Sequence, residues 1–235
     1  MNDQLTWQAA VKDTLPTIFG YIGIGLAFGV IGRTSGLAVW IVVLMSAFVY
    51  AGSAQFTTVS MLTALNPVSS IVLTTFLVNS RMILMSTTLS AFFKKDSMAK
   101  NLQIGSLLTD ESFALSMNKL NYTQNRLSFE WLNTSNWIAY LTWVLSTLAG
   151  ALLGNIISSP RRFGLDFALL AMFIGLLYLQ VLADKSMSKK LQLLAILMTM
   201  LLTYVSMIIL PASLVIVVTA LVGCALGVLV KHAFF

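Results

Sequence analysis

The sequence predicts an all-α fold, a polytopic transmembrane helical bundle. Of the 235 residues, 58% are hydrophobic and only 9% are charged, whereas soluble domains carry about 25% charged residues. The apolar runs approach or exceed the ~20 residues that a helix needs to cross a bilayer, and are far longer than the ~10 alternating residues of a barrel strand. Because backbone amides in lipid must be satisfied within their own segment, we expect every run to be helical.

The apolar runs divide a single membrane domain, residues 1–235, into about seven to eight membrane segments. The eight candidates lie at residues 15–32, 37–62, 68–93, 102–118, 132–157, 165–182, 191–210 and 212–230. Short polar or proline-containing stretches separate them. Ahead of the first run, residues 3–14 are expected to form an interfacial helix. Three Gly-x-x-x-Gly spacings predict close helix packing: Gly25/Gly29, Gly150/Gly154 and Gly223/Gly227.

Loop charges predict the orientation of the chain in the bilayer. The formal net charge is +6, but the basic residues cluster between apolar runs, where they set topology, so nucleic acid is not an expected partner. In the second half, six basic residues fall on one side and two on the other, which places the C-terminus in the cytoplasm: Lys119, Arg126, Lys185, Lys189, Lys190 and Lys231 against Arg161 and Arg162. Eight full crossings would put Lys94, Lys95 and Lys100 outside. A broken or re-entrant helix at 102–118 would return them to the inside.

The sequence argues against metal and hydrolytic chemistry. The only histidine, His232, is near the end of the sequence and the only cysteine, Cys224, lies in the last apolar run, so a His or Cys metal cluster is excluded. Neither G-x-S-x-G nor H-E-x-x-H occurs. We expect no catalytic residue, metal or cofactor; an intramembrane aspartyl enzyme using Asp110 and Asp166 is the enzymatic alternative.

Polar residues inside apolar segments mark the candidate site, because such groups normally face a bundle interior or a water-filled cavity. The first interruption is A-G-S-A-Q-F at 51–56, in a segment of about 26 residues. A helix unwound near Gly52 and Ser53 would free backbone groups to hold a substrate, with Gln55 orienting the ligand. A continuous helix, with Gln55 packed against a neighbour, is the alternative.

The second interruption is Asn79 and Arg81, near the centre of the segment at 68–93. In a continuous helix, Arg81 is too deep to snorkel to either bilayer surface, so it needs an anionic partner. A protein carboxylate would make a structural ion pair, and a substrate carboxylate would make a binding site. Both interpretations stay open, and we include Asn79 and Arg81 among the candidate substrate-binding residues.

The third interruption is the adjacent pair Asp110 and Glu111. Consecutive helix positions differ by about 100°, so one carboxylate can meet Arg81 while the other lines a path. Such a pair suits proton coupling or the binding of an ammonium group. The alternative is an interfacial acidic pair at a helix start, which Thr109 before Asp110 allows. Asp166, in the first turn of a later segment, is expected to act as a structural helix cap.

Four stretches spread over most of the chain form a recognisable set. They are G-Y-I at 20–22 with Gly25 and F-G at 28–29, A-G-S-A-Q-F at 51–56, L-L-T-D-E-S-F-A-L at 107–115, and G-L-D-F-A-L-L-A-M-F-I-G-L-L at 164–177. Together, and in this order, they resemble the AzlC family, the large subunit of bacterial branched-chain amino acid exporters.

The resemblance implies a secondary transporter in the bacterial cytoplasmic (inner) membrane. It implies proton-driven export of leucine, isoleucine, valine and often methionine, together with a small hydrophobic membrane subunit of the AzlD type. It assigns no role to any single residue. A non-conducting structural or assembly subunit of a membrane complex is the alternative, for which the glycine packing motifs give support.

Overall fold

The computed structural model describes residues 1–154, 164, 167–183, 188–210 and 212–234. These residues form α-helices joined by turns, and no strand occurs among them. The helices are α1 (Trp7–Thr34), α2 (Val39–Phe48), α3 (Gly52–Thr63), α4 (Val68–Asn79), α5 (Arg81–Ser90), α6 (Met98–Ser106), α7 (Asp110–Leu120), α8 (Phe129–Leu153), α9 (Ala168–Ala183), α10 (Lys189–Ile209) and α11 (Ala212–Phe234). The predicted helical membrane fold is therefore confirmed. Asp166 lies outside the described residues.

Four described stretches are long and apolar enough to cross a bilayer. They are Trp7–Thr34, Val68–Ser90, Phe129–Leu153 and Lys189–Ile209. The second combines α4 and α5, which meet at Ser80. Of the helix expected over residues 3–14, residues 7–14 are helical and continue through Pro16 into the first span as part of α1, which begins only at Trp7.

The helices α1 and α8 lie side by side and parallel at the centre of the fold. Their backbones touch at glycines: a Cβ atom on Gly29 would lie 2.2 Å from the Thr147 carbonyl oxygen, and one on Gly150 would lie 2.2 Å from that of Leu26. Lipid supplies little hydrophobic drive between helices, so this close approach provides the packing energy. The structure confirms close packing at Gly25/Gly29 and Gly150/Gly154.

The two ends of α1 define the two ends of the molecule. We call the end that holds Trp7 the amino-terminal end and the end that holds Thr34 the opposite end. The α4–α5 stretch crosses between them and finishes at the amino-terminal end, where Leu89 packs in one buried cluster with Ala9 and Ala10.

The helices α2 and α3 form a re-entrant hairpin that enters from the opposite end. Val42 of α2 lies against Gly32 near the end of α1. After the break at residues 49–51, α3 turns back, since Phe56 packs on Phe28 with ring centroids 5.3 Å apart. A hydrogen bond of 2.9 Å from Gln55 to Ser46 joins the two arms. The segment at 37–62 is therefore discontinuous, as the unwound alternative predicts, but the break lies at residues 49–51, and Gly52 and Ser53 begin α3.

The helices α6 and α7 form a second hairpin, which enters from the amino-terminal end. At the outer end of α6, Lys100 Nζ lies 5.0 Å from the centre of the Phe129 ring. The chain breaks at residues 107–109, and α7 returns until Lys119 meets Asp13. The arms of 9 and 11 residues are about 14 and 17 Å long, roughly half the ~30 Å hydrocarbon core.

The hairpins change the predicted topology. Two of the eight candidate segments, 37–62 and 102–118, enter and return instead of crossing, because the chain reverses at residues 49–51 and 107–109, directly before Gly52 and Asp110. Lys94, Lys95 and Lys100 therefore lie at the same end as Arg126, as the re-entrant alternative predicts. In chain order, a crossing helix and a hairpin occur twice with opposite orientation, a pattern found in transporters with inverted repeats.

Candidate functional site

The tips of the two hairpins meet beside the α4–α5 junction and enclose a small cavity. Its volume is about 20 Å³, room for roughly one water molecule. It is lined by Tyr21, Tyr50, Ala51, Gly52, Ser53, Arg81, Met82, Thr109, Asp110, Glu111 and Trp143. The three polar interruptions of the first half of the chain therefore converge on one place.

Arg81 joins both hairpin tips. Its Nη2 atom donates a hydrogen bond to Ser53 Oγ (2.8 Å) and another to Asp110 Oδ2 (2.7 Å). The side chains of Arg81 and Asp110 are 34% and 21% exposed, so the pair is partly shielded and faces the cavity. The anionic partner that Arg81 requires is thus a protein carboxylate in this conformation.

Two helix N-termini point at the same cavity. At the start of α3, Ala51 offers no polar side chain to cap the first amides, which belong to Gly52 and Ser53. At the start of α7, Thr109 forms a capping box with Ser112. Free amides and the helix dipole favour negative charge at such positions. The tip of α3 can therefore receive an anionic group, whereas the tip of α7 already carries two carboxylates.

Glu111 faces α1 instead of Arg81. Its Oε2 atom accepts a hydrogen bond of 2.7 Å from the Tyr21 hydroxyl, which also lies 2.9 Å from Thr109 Oγ1. The two adjacent carboxylates thus point to different partners, as their angular separation on the helix predicts. The helix start at Thr109 that the alternative interpretation expected is also present, but it lies at mid-depth and not at an interface.

Gln55 lies behind the cavity wall, with 0% of its surface exposed. Its Nε2 donates to Ser46 (2.9 Å), and its Oε1 accepts from Trp143 Nε1 (3.1 Å). Trp143 in turn faces Gly52, where a Cβ atom would lie 3.1 Å from the indole ring. Gln55 does not line the cavity. Its hydrogen bond instead holds Trp143, which does line it.

Asn79 also does not line the cavity. Its Oδ1 atom has no hydrogen-bond partner among the described residues. Of the residues predicted for the site, the structure brings together Gly52, Ser53, Arg81, Asp110 and Glu111.

Aromatic residues complete the site and were missed by the sequence reasoning. Tyr21, Tyr50 and Trp143 lie in apolar runs, where hydropathy does not distinguish a cavity wall from ordinary packing. Tyr50 sits at the hairpin tip with a φ of 41°, a left-handed conformation that is rare for a bulky residue. Its hydroxyl has no hydrogen-bond partner within the described residues. Backbone strain of this kind is found at functional sites.

A second ion pair lies at the amino-terminal end of the fold. Lys119 Nζ lies 2.6 Å from Asp13 Oδ2, and the two side chains are 0% and 8% exposed. Trp131 Nε1 donates to the same carboxylate oxygen (3.1 Å). Lys119 is thus a buried structural cation. It was expected to be one of the free loop charges that indicate orientation, and that expectation is wrong.

Comparison with known proteins gives the family. The family model described as AzlC protein matches residues 16–157, a range that contains both hairpins and the cavity. The chain belongs to the AzlC family. No solved structure matches it.

Three relatives show how far the likeness to other AzlC-family and related proteins extends. An uncharacterized membrane protein of Helicobacter pylori (strain J99) is 30% identical over 75% of this chain and 76% of its own length. Inner membrane protein YgaZ of Escherichia coli is 30% identical over 64% of this chain and 62% of its own length. The branched-chain amino acid transport protein AzlC of Bacillus subtilis is 28% identical over 76% of this chain and 69% of its own length.

Proposed function

We propose that this AzlC-family protein is a secondary transporter that exports leucine, isoleucine, valine and methionine across the bacterial cytoplasmic membrane, coupled to protons. The observation that carries the proposal is the Arg81–Asp110 ion pair between two opposed hairpin tips. Discontinuous helices that meet near the middle of a bundle are how many transporters hold a substrate. A relative named as a branched-chain amino acid transport protein supports the substrate class.

The ion pair presents the two charges that a zwitterion needs. In the proposed bound state, Arg81 and the amides of Gly52 and Ser53 hold the substrate carboxylate, and Asp110 holds its ammonium group. Substrate charges then replace the protein's own pair, so neither side chain is left uncompensated in a low-dielectric site, where an unpaired charge is costly. The cavity must widen for this exchange, because about 20 Å³ is less than one amino acid occupies.

Glu111 is proposed to carry the coupled proton. It lies next to Asp110 but pairs with the Tyr21 hydroxyl, so it can change its charge without breaking the Arg81 contact. Gln55 is proposed to orient the ligand through Trp143, which it holds by a hydrogen bond. Asn79 remains a candidate acceptor for the ammonium group, since its Oδ1 atom has no partner among the described residues.

The amino-terminal end is proposed to face the cytoplasm, together with the C-terminus. Lys94, Lys95, Lys100 and Arg126 gather at that end, whereas Arg33 lies near the opposite end of α1, and basic loops are retained inside. A small AzlD-type hydrophobic subunit is the proposed partner. We also propose that the protein is not an enzyme, because Asp110 pairs with Arg81, whereas an aspartyl mechanism needs two carboxylates that share a proton.

Efflux from loaded cells tests the proposal. Cells that express the protein with its small partner are loaded with an isoleucine-containing dipeptide, and external isoleucine is followed over time. We expect faster efflux than in cells lacking the protein. Equal efflux in the two strains would refute the transporter. Reconstitution with and without the partner then distinguishes a complete transporter from an assembly subunit.

Asp110→Asn is the variant that tests the site. We expect it to abolish efflux, because an amide cannot neutralise either Arg81 or a substrate ammonium group. Membrane insertion, measured by the amount of protein in the membrane fraction, should be unchanged. Efflux at the wild-type rate would remove Asp110 from the mechanism.

A further inference from the structure

A large cleft runs alongside the site cavity, between α1, α7 and α9. Its volume is about 640 Å³, several times that of an amino acid. Lys12, Asp13 and Tyr122 line it toward the amino-terminal end, and Ile24 and Leu115 give it apolar walls. The cleft therefore combines charged groups at its outer part with an apolar surface further in.

The cleft and the site cavity share a wall. Tyr21 and Glu111 line both spaces, and the hydrogen bond of 2.7 Å between them holds that wall together. The 640 Å³ cleft and the 20 Å³ cavity that contains Arg81 and Asp110 therefore adjoin at Tyr21 and Glu111.

The cavity is closed much more heavily toward the opposite end. Trp143 stacks on Phe28 with centroids 6.4 Å apart, and Phe28 packs on Phe56 at 5.3 Å. Gln55 fills the space beside them without exposed surface. Opening this side requires several buried rings to separate. On the cleft side, Tyr21 is the one ring that must move, and it would leave its hydrogen bonds to Glu111 and Thr109 and its edge contact with Trp143 at 5.1 Å.

We propose that the cleft is the vestibule through which a zwitterionic amino acid with an apolar side chain moves between the amino-terminal end and the ion-pair site, and that Tyr21 and Glu111 form its inner gate. The identity of the ligand rests on the function proposed above. The path and the gate rest on the geometry alone. Tyr21 acts as the movable element, because rotation of its ring removes the hydroxyl from Glu111 and joins the two spaces.

Thiol labelling tests the path without requiring transport. In a full-length Cys224→Ser background, Met82→Cys places a probe in the cavity and Ala114→Cys places one in the cleft. Membrane-impermeant methanethiosulfonate reagent is added to right-side-out and inside-out vesicles in turn. Each probe is combined with Tyr21→Ala, with the milder Tyr21→Phe, or with Tyr178→Ala as a matched control, since Tyr178 is 61% exposed on α9.

The Ala114→Cys probe should be labelled from one face of the membrane, and the Met82→Cys probe should react slowly from that face. Tyr21→Ala and Tyr21→Phe should each speed labelling of Met82→Cys from the same face by about tenfold, the factor expected when a hydrogen bond to a charged group is lost. Tyr178→Ala should leave the rate unchanged.

Three results would overturn the gate. They are an unreactive Ala114→Cys probe, the same Met82→Cys rate in both Tyr21 variants and their parent, or faster labelling only from the other face. Size-exclusion profiles show whether Tyr21→Ala folds, and Tyr21→Phe decides the outcome if it does not. Gated labelling in a protein without amino acid efflux would support the vestibule and refute the proposed substrate.

Discussion

The Nη2 atom of Arg81 lies 2.7 Å from the Oδ2 atom of Asp110, although the two residues are 29 positions apart in the chain. One belongs to the α4–α5 stretch that crosses the bundle, and the other begins the returning arm of a hairpin. Their contact therefore fixes the α7 tip against the crossing helix, and the Arg81 bond to Ser53 fixes the α3 tip as well. In the proposed bound state, a ligand that carries both charges takes the place of this pair, and we expect its binding to separate the two tips.

Arg81→Gln should both weaken the fold and abolish efflux. It leaves Asp110 without its positive partner, and a lost hydrogen bond to a charged group costs about 1.5–3 kcal/mol, reduced here because the pair is partly exposed. Arg81→Lys keeps the charge and should retain more stability. The readouts are the thermal midpoint in detergent and isoleucine efflux, with the exposed Arg126→Gln as the matched control. Stability and efflux equal to the control would contradict this role of Arg81.

Lys119→Met should destabilise the protein strongly. Removing one partner of a buried ion pair leaves an uncompensated charge, here on Asp13, at a cost of about 3–5 kcal/mol. Lys100→Met is the matched control, because Lys100 forms an exposed i,i+4 pair with Asp96 that is expected to contribute less than about 1 kcal/mol. Thermal unfolding of both variants measures the difference. Similar midpoints for the two would show that the Lys119 pair is not structural.

Gly29→Ala should disrupt the contact between α1 and α8. The new Cβ atom would lie 2.2 Å from the Thr147 carbonyl oxygen, so the two backbones must separate. Overpacking of this kind costs about 1–3 kcal/mol or more. Gly23→Ala serves as the control in the same helix, since a Cβ atom there meets nothing within 4 Å. We expect a lower folded yield and thermal midpoint for Gly29→Ala only, and equal values in both variants would refute the close contact.

Both ends of the α6–α7 hairpin should be accessible from one face of the membrane. In a Cys224→Ser background, Lys95→Cys and Gln124→Cys should react with an impermeant thiol reagent from the same side. Thr34→Cys should react from the other side, because it lies at the far end of α1. A segment that crosses fully would place Lys95 and Gln124 on opposite faces, and that labelling pattern would exclude the hairpin.

Much of the site could be predicted from the sequence because polar groups in lipid are costly. Gly52, Ser53, Arg81, Asp110 and Glu111 stand out in apolar runs, and the structure gathers all five around one cavity. The same reasoning placed Gln55 and Asn79 with them, although neither lines the cavity. Burial explains the difference for Gln55, whose amide is used by Ser46 and Trp143.

The aromatic walls and the buried Lys119–Asp13 pair could not be predicted in this way. A tyrosine in an apolar run has the same hydropathy whether it packs, gates or anchors at an interface. Lys119 and Asp13 are 106 residues apart, and each alone resembles an ordinary charge near a segment end. Their roles depend on contacts between distant parts of the chain, which local patterns do not record.

The sequence by itself determined the class of the protein, its apolar segments, and the polar and glycine residues that stand out within them. Those properties follow from local composition, because lipid imposes the same requirement on every residue in it. Only the tertiary structure decided that the interrupted segments return instead of crossing. Two half-length helices have the same hydropathy in either arrangement, and contacts such as Lys119 with Asp13 and Phe56 with Phe28 set their direction.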